Sequence, residues 1–340
     1  MKYAGVDLHK QTISVCVVNQ ARQVLTHCRL ACSNPQSVRM FFEPLGEFQA
    51  VVEATASYEW FVQLLEPLAE RVVLAHPKKL RVIAESTRKS DRLDAKTLAE
   101  FLALDMIPRS YRPTPRQRDH RRLVRHRAQT VRRASATRVQ LRRLLADYNA
   151  DQEGLFTCRG FKHLQEVKLS PADRFAVDQL LARWQFLVAQ RKAVENELRR
   201  FAESAPVAER EARALLRTIP GIGLITSEVI LAELADIGRF CSQKRVVAYA
   251  GLAPGQRESA GKRRELHLEK CGSRLLRHAM VEAAWRLVRL SPRWRYTYHR
   301  LKVRLRAKKA IVAIARRLLC IVTAVLKSGQ AYRHTATQKT

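Results

Sequence analysis

The stretch KYAGVDLHKQTISVCVVN, residues 2–19, predicts the beginning of a β-sheet. Residues 2–7 and 12–19 are rich in apolar and β-branched side chains and are separated by a short polar break. Two such runs with a short break between them are typical of a β-hairpin. Asp7 ends the first strand, where it is either a turn former or one member of a carboxylate site, and the rest of the chain has to decide between the two.

The residues after this hairpin extend it into a larger sheet. The predicted elements are a third strand at 22–30, a helix at 35–45, a short buried strand at 50–54, a helix at 58–69 and a strand at 71–75. Three β elements followed by alternating helices and strands predict an α/β domain with a mixed sheet.

Acidic side chains recur where these elements begin or end. Glu53 ends the strand at 50–54, and the stretch KSDRLDAKTLAEFL, residues 89–102, places Asp91 and Asp94 at the start of a predicted helix. Residues three apart share a helix face, so both carboxylates can point to one place, although Asp91 also suits a helix cap. Phosphodiester cleavage with two metal ions needs several carboxylates, and magnesium prefers oxygen ligands. The order of these acids matches the RNase H-like nuclease fold and predicts a metal-dependent nuclease or recombinase.

The positive charge of the chain predicts a polyanionic partner. Lys and Arg total 63 against 31 Asp and Glu, which gives a net charge of +32 over 340 residues. Nucleic acid is the favoured partner, because neutralising phosphates gives affinity for any sequence. An acidic membrane surface is the alternative, and it would need a basic helix with an apolar face open to lipid.

Targeting signals are not visible in the sequence. The apolar run at 310–326 holds Arg316 and Arg317 in its middle and predicts a buried helix rather than a membrane span. The first ten residues lack the apolar core of a signal peptide. We therefore expect a cytoplasmic protein without a membrane partner.

The seven cysteines predict reduced, mostly structural thiols, because they are scattered and form no CxxC pair. Cys28 and Cys32 with His27 suggest a metal cluster, but no second ligand pair is spaced to complete it.

The middle of the chain predicts two long helices. Residues 116–148 form a basic amphipathic helix, and residues 154–170 read as a loop. Five arginines of this helix are predicted to face phosphates: Arg121, Arg122, Arg125, Arg132 and Arg133. Apolar residues then repeat by threes and fours from Val177 to Phe201, which predicts a heptad seam. The seam is either an intermolecular coiled coil, which favours a homo-oligomer, or one half of a hairpin with the preceding helix.

Residues 215–234 predict a helix, a tight turn and a second helix in the C-terminal part of the chain. Pro220, Gly221 and Gly223 form the turn, which resembles a helix-hairpin-helix whose amides can bind a phosphate. A helix hairpin of this kind can also be purely structural. The predicted domains are an α/β catalytic domain at 1–115, a basic helical and coiled-coil region at 116–205, a mostly α-helical C-terminal domain at 206–328 and a disordered tail at 329–340.

Six motifs together resemble a known family. In chain order they are GVDLHK, EATASYEW, KSDRLDAKTLAEFL, PGIGLIT, RFCSQKRVVAYAGLAPGQRESAGKRR and KCGSRLLRHAMVEAAW. They resemble the DEDD transposases of the insertion sequence 110 family, and are nearest its 1111-type subgroup, over residues 3–327. Piv-type DNA invertases are similar.

The resemblance implies a fold, a metal site and partners. It implies an RNase H-like, RuvC-like N-terminal domain whose tetrad binds Mg²⁺ or Mn²⁺. The tetrad falls on Asp7, Glu53, Asp91 and Asp94. It also implies donor and target DNA and an element-encoded guide (bridge) RNA that pairs with both, acting with a homo-oligomer of two or four chains.

The resemblance also singles out Ser259, because the family carries a serine after its AGLxP stretch that is implicated in a transient covalent link to DNA. Taken alone, a serine in a polar loop is most often solvated. A nucleophilic serine needs a base or a metal, expected here from the carboxylate cluster, and nearby cations to hold phosphate. The three nearby cations are Lys262, Arg263 and Arg264. Two positions differ from the family pattern: Ala260 follows the serine where the family usually has glycine, and Gly272–Ser273 stands where it usually has glycine–asparagine. His267 and Ser242 are the fallback nucleophile candidates.

Three functions fit these observations. The first is a transposase and site-specific recombinase that cleaves and rejoins DNA with metal and a serine nucleophile. The second is a RuvC-type hydrolytic nuclease in which Ser259 only contacts phosphate. The third is a nucleic-acid-binding protein without catalysis, against which the intact tetrad argues.

Overall fold

The computed structural model describes residues 1–54, 57–83, 91–259, 262–268 and 272–333, and within these the side chains of 81–83, 91–93, 256–259 and 262–267 are not described. The chain divides into two compact units, an N-terminal unit, Met1–Arg112, and a C-terminal unit, Pro113–Thr340. A further division of the second unit at residue 205 stays a prediction. The predicted disorder of the tail falls largely on 334–340, outside the described residues.

The N-terminal unit contains the predicted mixed sheet. Its strands are β1 (Lys2–Leu8), β2 (Thr12–Val18), β3 (Val24–Ala31), β4 (Phe48–Glu53) and β5 (Arg71–Ala75). Their order is β3-β2-β1-β4-β5. The β1–β2 and β2–β3 pairs are antiparallel, and the β1–β4 and β4–β5 pairs are parallel. Strand β4, which lies between β1 and β5, is largely apolar because an interior parallel strand is covered on both faces.

Helices cover both faces of this sheet. They are α1 (Pro35–Phe42, followed by a 3-10 turn at Glu43–Leu45), α2 (Glu59–Leu65), α3 (Pro77–Ile83) and α4 (Asp91–Ala103). The helices predicted at 35–45 and 58–69 are confirmed, the second with a shorter span. Phe42, Phe48 and Phe61 are fully buried in the main core of this unit.

The first long helices of the C-terminal unit form an antiparallel hairpin. They are α5 (Pro115–Ala146) and α7 (Pro171–Glu203). Arg127 near the start of α5 pairs with Glu195 near the end of α7, and Leu145 at the other end of α5 packs in one cluster with Val177. The heptad seam is therefore covered by α5 of the same chain, which is the fold-back alternative. An intermolecular coiled coil through this seam is not what the structure shows, and an oligomer stays a prediction that would need another surface.

The loop predicted at 154–170 is wrong, because helix α6 (Cys158–Glu166) lies within it. Thr157 caps this helix by accepting a hydrogen bond from the amide of Gly160, and Leu164 is buried. Gly160, a weak helix former, obscures the pattern. It is required because a side chain there would meet the carbonyl oxygen of Leu155 at 2.3 Å.

The remaining elements of the C-terminal unit are mostly helical. They are α8 (Val207–Arg217), α9 (Leu224–Leu234), α10 (Gln243–Tyr249), β6 (Pro254–Ser259), β7 (Lys262–Leu268), α11 (Arg274–Leu290) and α12 (Pro292–Ser328). The helix, turn and helix predicted at 215–234 are confirmed as secondary structure. The run at 310–326 lies in α12, where Ile314 and Leu318 are fully buried. Among the described residues, no helix is both long and apolar enough to cross a membrane.

Ser259 does not lie in a polar loop, as the sequence suggested, but ends strand β6 of a two-stranded hairpin. Both strands are rich in charged and polar residues. A hairpin without alternating apolar residues leaves no strand signal in the sequence, which is why this prediction was wrong.

Candidate active site

Asp7 and Glu53 lie at the same edge of the N-terminal sheet. Strands β1 and β4 are parallel neighbours in which Val6 pairs with Val52. Asp7 and Glu53 are the next residues of the two strands, so both acids lie at adjacent carboxyl ends. Ligands of open α/β sheets bind outside the carboxyl ends of the strands. The sheet therefore places these two predicted site residues where a substrate can reach them.

Helix α4 approaches this edge because Gly5 lets its backbone lie directly on β1. A Cβ atom at Gly5 would lie 2.0 Å from the carbonyl oxygen of Ala95 and 2.4 Å from the amide nitrogen of Ala99. Ala103, at the far end of α4, packs in the same cluster as Tyr3 near the start of β1. The helix therefore runs against β1, and its first turn lies toward the carboxyl end of that strand.

That first turn begins at Asp91, as the sequence predicted. Asp94 is exposed, and the side chain of Asp91 is outside the described set. The backbone thus directs the first turn of α4, which carries Asp91 and Asp94, toward the sheet edge at which Asp7 and Glu53 lie. The described side chains contain no group of three or more His, Cys, Asp or Glu that could hold a metal ion. An all-carboxylate set suits Mg²⁺ or Mn²⁺ rather than a softer metal, so the residue types fit a hard divalent cation.

Two histidines at this edge were missed by sequence reasoning. Nε2 of His9 lies 3.0 Å from Oδ2 of Asp7, whose side chain is 14% exposed. Strand periodicity, which puts residues two apart on one face, could have indicated this contact. His76 directly follows β5, whose last residue Ala75 pairs with Glu53. Its Nδ1 is buried without a hydrogen-bond partner, and the strand-end reasoning that found the acids applies to it as well.

The backbone of the β6–β7 hairpin groups Ser259 with the predicted phosphate-binding cations. Ser259 pairs with Lys262, Glu258 with Arg263 and Arg257 with Arg264. Their side chains, that of His267 and the turn residues 260–261 lie outside the described set.

The fallback candidate Ser242 occupies the N-cap position of α10, as its place in the sequence suggested. Its side chain makes no capping hydrogen bond there.

Two of the five predicted phosphate-facing arginines contact helix α9. Nε of Arg125 donates to Oε1 of Glu233 at 2.8 Å, and the Glu233 side chain is fully buried. This hydrogen bond raises the pKa of the Arg125 guanidinium. Arg121 donates to the backbone carbonyl of Ala232 at 3.0 Å. Both arginines thus hold the end of α9, a role that the sequence pattern could not distinguish from phosphate binding.

The other three arginines face solvent. Arg122 pairs with Asp119, and both side chains are exposed. Arg132 and Arg133 are exposed, and neither has an ion-pair partner among the described residues. These three keep their predicted role as a proposal.

The two glycines of the turn between α8 and α9 have different surroundings. Gly221 has φ +88°, and a Cβ there would lie 2.8 Å from the carbonyl oxygen of Ala283 in α11. Gly221 is therefore required by packing, whatever the turn binds. Gly223 is exposed at the start of α9. A Cβ atom there would have the guanidinium of Arg286, 4.0 Å away, as its nearest neighbour.

A buried ion network joins the helices around this turn. Glu228 of α9 lies 2.6 Å from Nε of Arg213 in α8 and 2.8 Å from Nε2 of His120 in α5. Burial alone would raise the pKa of Glu228, but the hydrogen bonds from His120 and Arg213 outweigh it and hold that pKa below its ordinary value. Arg213 and Arg116 also share Glu209. An acid in the middle of the otherwise apolar helix α9 was the sequence signal for this network.

Comparisons with known proteins identify related sequences. A family model for DEDD transposases of IS110 elements matches residues 4–150. A second model, described as the transposase IS116/IS110/IS902 family, matches residues 213–299.

Similar proteins extend over most of the chain. The transposase for insertion sequence element IS1111A of Coxiella burnetii is 25% identical over 98% of this chain and 92% of its own length. The transposase for insertion sequence element IS1328 of Yersinia enterocolitica is 25% identical over 82% of each chain. The pilin gene-inverting protein of Moraxella bovis is 24% identical over 97% of each chain. With both family models matching in order, the chain belongs to the IS110 family of DEDD transposases, enzymes that cleave and transfer DNA.

Proposed function

We propose that this transposase cleaves and rejoins DNA at the carboxyl edge of the N-terminal sheet, using divalent metal held by Asp7, Glu53, Asp91 and Asp94. The observation that carries the proposal is the convergence of three elements on that edge. Strands β1 and β4 end there side by side, and α4 begins there. The strand order, an antiparallel three-strand meander joined to two parallel strands, is compatible with an RNase H-like, RuvC-like fold.

The four carboxylates hold Mg²⁺ or Mn²⁺ and position the scissile phosphate beside it. When bound, the metal supplies Lewis-acid stabilisation of charge on phosphate oxygens. Asp7 and Glu53 are fixed by their strands. Asp91 and Asp94 sit three residues apart and share a helix face, so one helix supplies two ligands.

Ser259 is the proposed nucleophile of the strand-transfer step. Its oxygen bonds to the scissile phosphorus, the bond from phosphorus to one DNA oxygen breaks, and the serine proton passes to a base. Attack by a hydroxyl group of another strand then reverses the step, restores Ser259 and joins the strands. Lys262, Arg263 and Arg264 on the paired strand supply positive charge for the phosphate.

The partners in this proposal are donor and target DNA and an element-encoded guide RNA. The net charge of +32 supports a polyanionic partner, and similarity to a pilin gene-inverting protein supports DNA rearrangement. A DNA substrate implies action at the bacterial nucleoid in the cytoplasm. Two or four chains assemble on the DNA in this proposal.

A covalent-trapping assay tests the proposal. The protein, RNA transcribed from its own element, end-labelled donor and target DNA and Mg²⁺ are mixed and separated on denaturing gels. Asp7→Asn and Ser259→Ala are compared with wild type and with Ser242→Ala as the matched serine control. The proposal predicts a protein–DNA adduct in wild type and Ser242→Ala that is lost in the other two variants.

Two other outcomes of this assay contradict parts of the proposal. Cut DNA without an adduct, still formed by Ser259→Ala, indicates a hydrolytic nuclease in which Ser259 only contacts phosphate. An adduct and products formed equally without RNA contradict the guide.

A further inference from the structure

Helix α12 contains a sharp kink at Arg306. Its backbone there has φ 63° and ψ 162°, inside a helix that runs from Pro292 to Ser328. Residues other than glycine rarely adopt this conformation, and it persists only where surrounding structure holds it. The kink therefore calls for a reason other than local preference.

Six cations surround the kink, and we call them the cationic elbow. They are Arg300, Lys302, Arg304, Arg306, Lys308 and Lys309. All six are exposed, and none has an ion pair or a side-chain hydrogen bond among the described residues. The last acidic residue of the chain is Glu282, so no carboxylate lies anywhere in α12.

The cations of the elbow lie on an exposed face of the segment, although Leu301 packs against the core of its unit. Tyr298 before it and Ala310 after it are buried, whereas Val303 between them is 91% exposed. An exposed segment of this kind is free to contact a partner along its length.

The arginines of α5 show what a structural role looks like in this protein. Arg116, Arg125 and Arg127 each pair with a carboxylate of another helix. The elbow has no such partners, and Arg300 and Arg304 are like charges four residues apart, a spacing that destabilises a helix. An anionic partner would offset this repulsion.

We propose that the cationic elbow binds the phosphate backbone of duplex DNA, independently of base sequence. This inference rests on the proposed function, which supplies DNA as the substrate, and it adds a contact surface distinct from α5 and from the β6–β7 hairpin. A duplex carries one negative charge per about 1.7 Å of axis, so a short run of cations meets several phosphates. A lipid surface fits less well because Val303 is the one large apolar side chain exposed between Arg300 and Lys309 in this described segment.

Salt-dependent binding tests the elbow. The probe is a 30-base-pair DNA duplex of random sequence, and the variant carries Lys302→Gln, Arg304→Gln, Lys308→Gln and Lys309→Gln. Each phosphate contact contributes about −0.9 to the slope of log affinity against log salt, so the slope should weaken by about 3 to 4. Arg306 is left intact so that the kink is unchanged.

Two matched proteins accompany this variant. The control removes four exposed cations elsewhere in the C-terminal unit and should keep the wild-type slope: Arg183→Gln, Lys192→Gln, Arg210→Gln and Arg289→Gln. A variant that keeps the charge, with Lys302→Arg, Lys308→Arg and Lys309→Arg, should also keep the wild-type slope. It therefore distinguishes an effect of charge from an effect of misfolding. Thermal unfolding of each protein verifies the fold.

The inference is overturned if the glutamine variant keeps the wild-type slope, or if the control weakens it equally. Loss of affinity for a 30-base-pair RNA duplex with DNA binding unchanged would assign the elbow to RNA and overturn the DNA proposal. Metal-dependent cleavage by wild type is measured alongside: if it is present while the slope is unchanged, the elbow inference fails and the proposed function stands. If wild type neither cleaves DNA nor binds the duplex in a salt-sensitive way, the proposed function itself fails.

Discussion

Replacing Gly5 with alanine perturbs the packing that brings α4 to the carboxyl edge of β1. The added Cβ would lie 2.0 Å from the carbonyl oxygen of Ala95, whereas real contacts of this kind are essentially never under 3.0 Å. Both the oxygen and the amide of Ala99 belong to helix backbone, which cannot rotate away as a side chain can. The helix as a whole must therefore move by about 1 Å, a distance at which overpacking costs about 1–3 kcal/mol of unfolding free energy.

The same movement should affect catalysis more than stability. It displaces Asp94 and Asp91 from the strand-borne acids, and a misplacement of about 1 Å can cost about 100-fold in rate. Urea unfolding measures the stability of Gly5→Ala, and metal-dependent cleavage of labelled donor DNA measures its activity at a temperature where circular dichroism shows a folded protein.

Gly46→Ala is the matched control within the same unit. Gly46 has φ +68° and no atom within 4 Å of its Cβ position, so alanine there strains a turn and costs about 1 kcal/mol or more without touching α4. We expect near-wild-type cleavage from the folded control. If Gly5→Ala has the stability and the cleavage rate of the wild type, the close packing of α4 on β1 is refuted.

Three further substitutions test other parts of the structure. Arg112→Met removes the ion pairs to Glu59 and Glu66. Because these pairs are only partly exposed, the free energy of urea unfolding of the N-terminal unit should fall by about 1–2 kcal/mol. An unchanged unfolding free energy would show that the pairs contribute nothing to stability. Glu228→Gln removes the buried carboxylate that Arg213 and His120 share, which leaves Arg213 with Glu209 alone, and should cost about 3 kcal/mol. The pKa of Glu228 is lowered on folding from an ordinary value of 4.5. Its contribution to the unfolding free energy is therefore complete above that pH and falls as the pH drops toward the folded pKa. If tryptophan fluorescence shows that the unfolding free energy falls equally steeply with acid in wild type and in Glu228→Gln, this account is contradicted. Arg306→Gly relieves the strained backbone. After the entropy cost of glycine, it should raise the unfolding free energy of the C-terminal unit by about 1 kcal/mol. A lower melting temperature would argue against strain at the kink.

The N-terminal sheet could be predicted from sequence because its strands are continuous apolar runs. Burial on both faces makes such strands visible without tertiary information. The acids at Asp7, Glu53 and Asp91 could be placed for the same reason, since each directly borders an element with a clear pattern. What sequence could not provide was the contact of Gly5 with α4, because that depends on which helix crosses which strand.

Prediction was weaker in the C-terminal unit because polar residues there have structural uses. The hairpin that ends at Ser259 has polar strands, and helix α6 contains Gly160. Arg121 and Arg125 satisfy the end of α9, and nothing in an arginine-rich helix separates such residues from those that face solvent. The heptad seam likewise indicates a packed face, but not whether the covering helix belongs to the same chain.

The most direct test of the account is the rate of Mg²⁺-dependent DNA cleavage by Asp7→Asn, measured beside Asp105→Asn. Asp105 is an exposed aspartate of the same unit, and its positive φ of 51° is tolerated by asparagine. The account predicts that Asp105→Asn cleaves at the wild-type rate and that Asp7→Asn loses cleavage while remaining folded. Cleavage by folded Asp7→Asn at the wild-type rate would contradict a catalytic centre at this edge of the sheet.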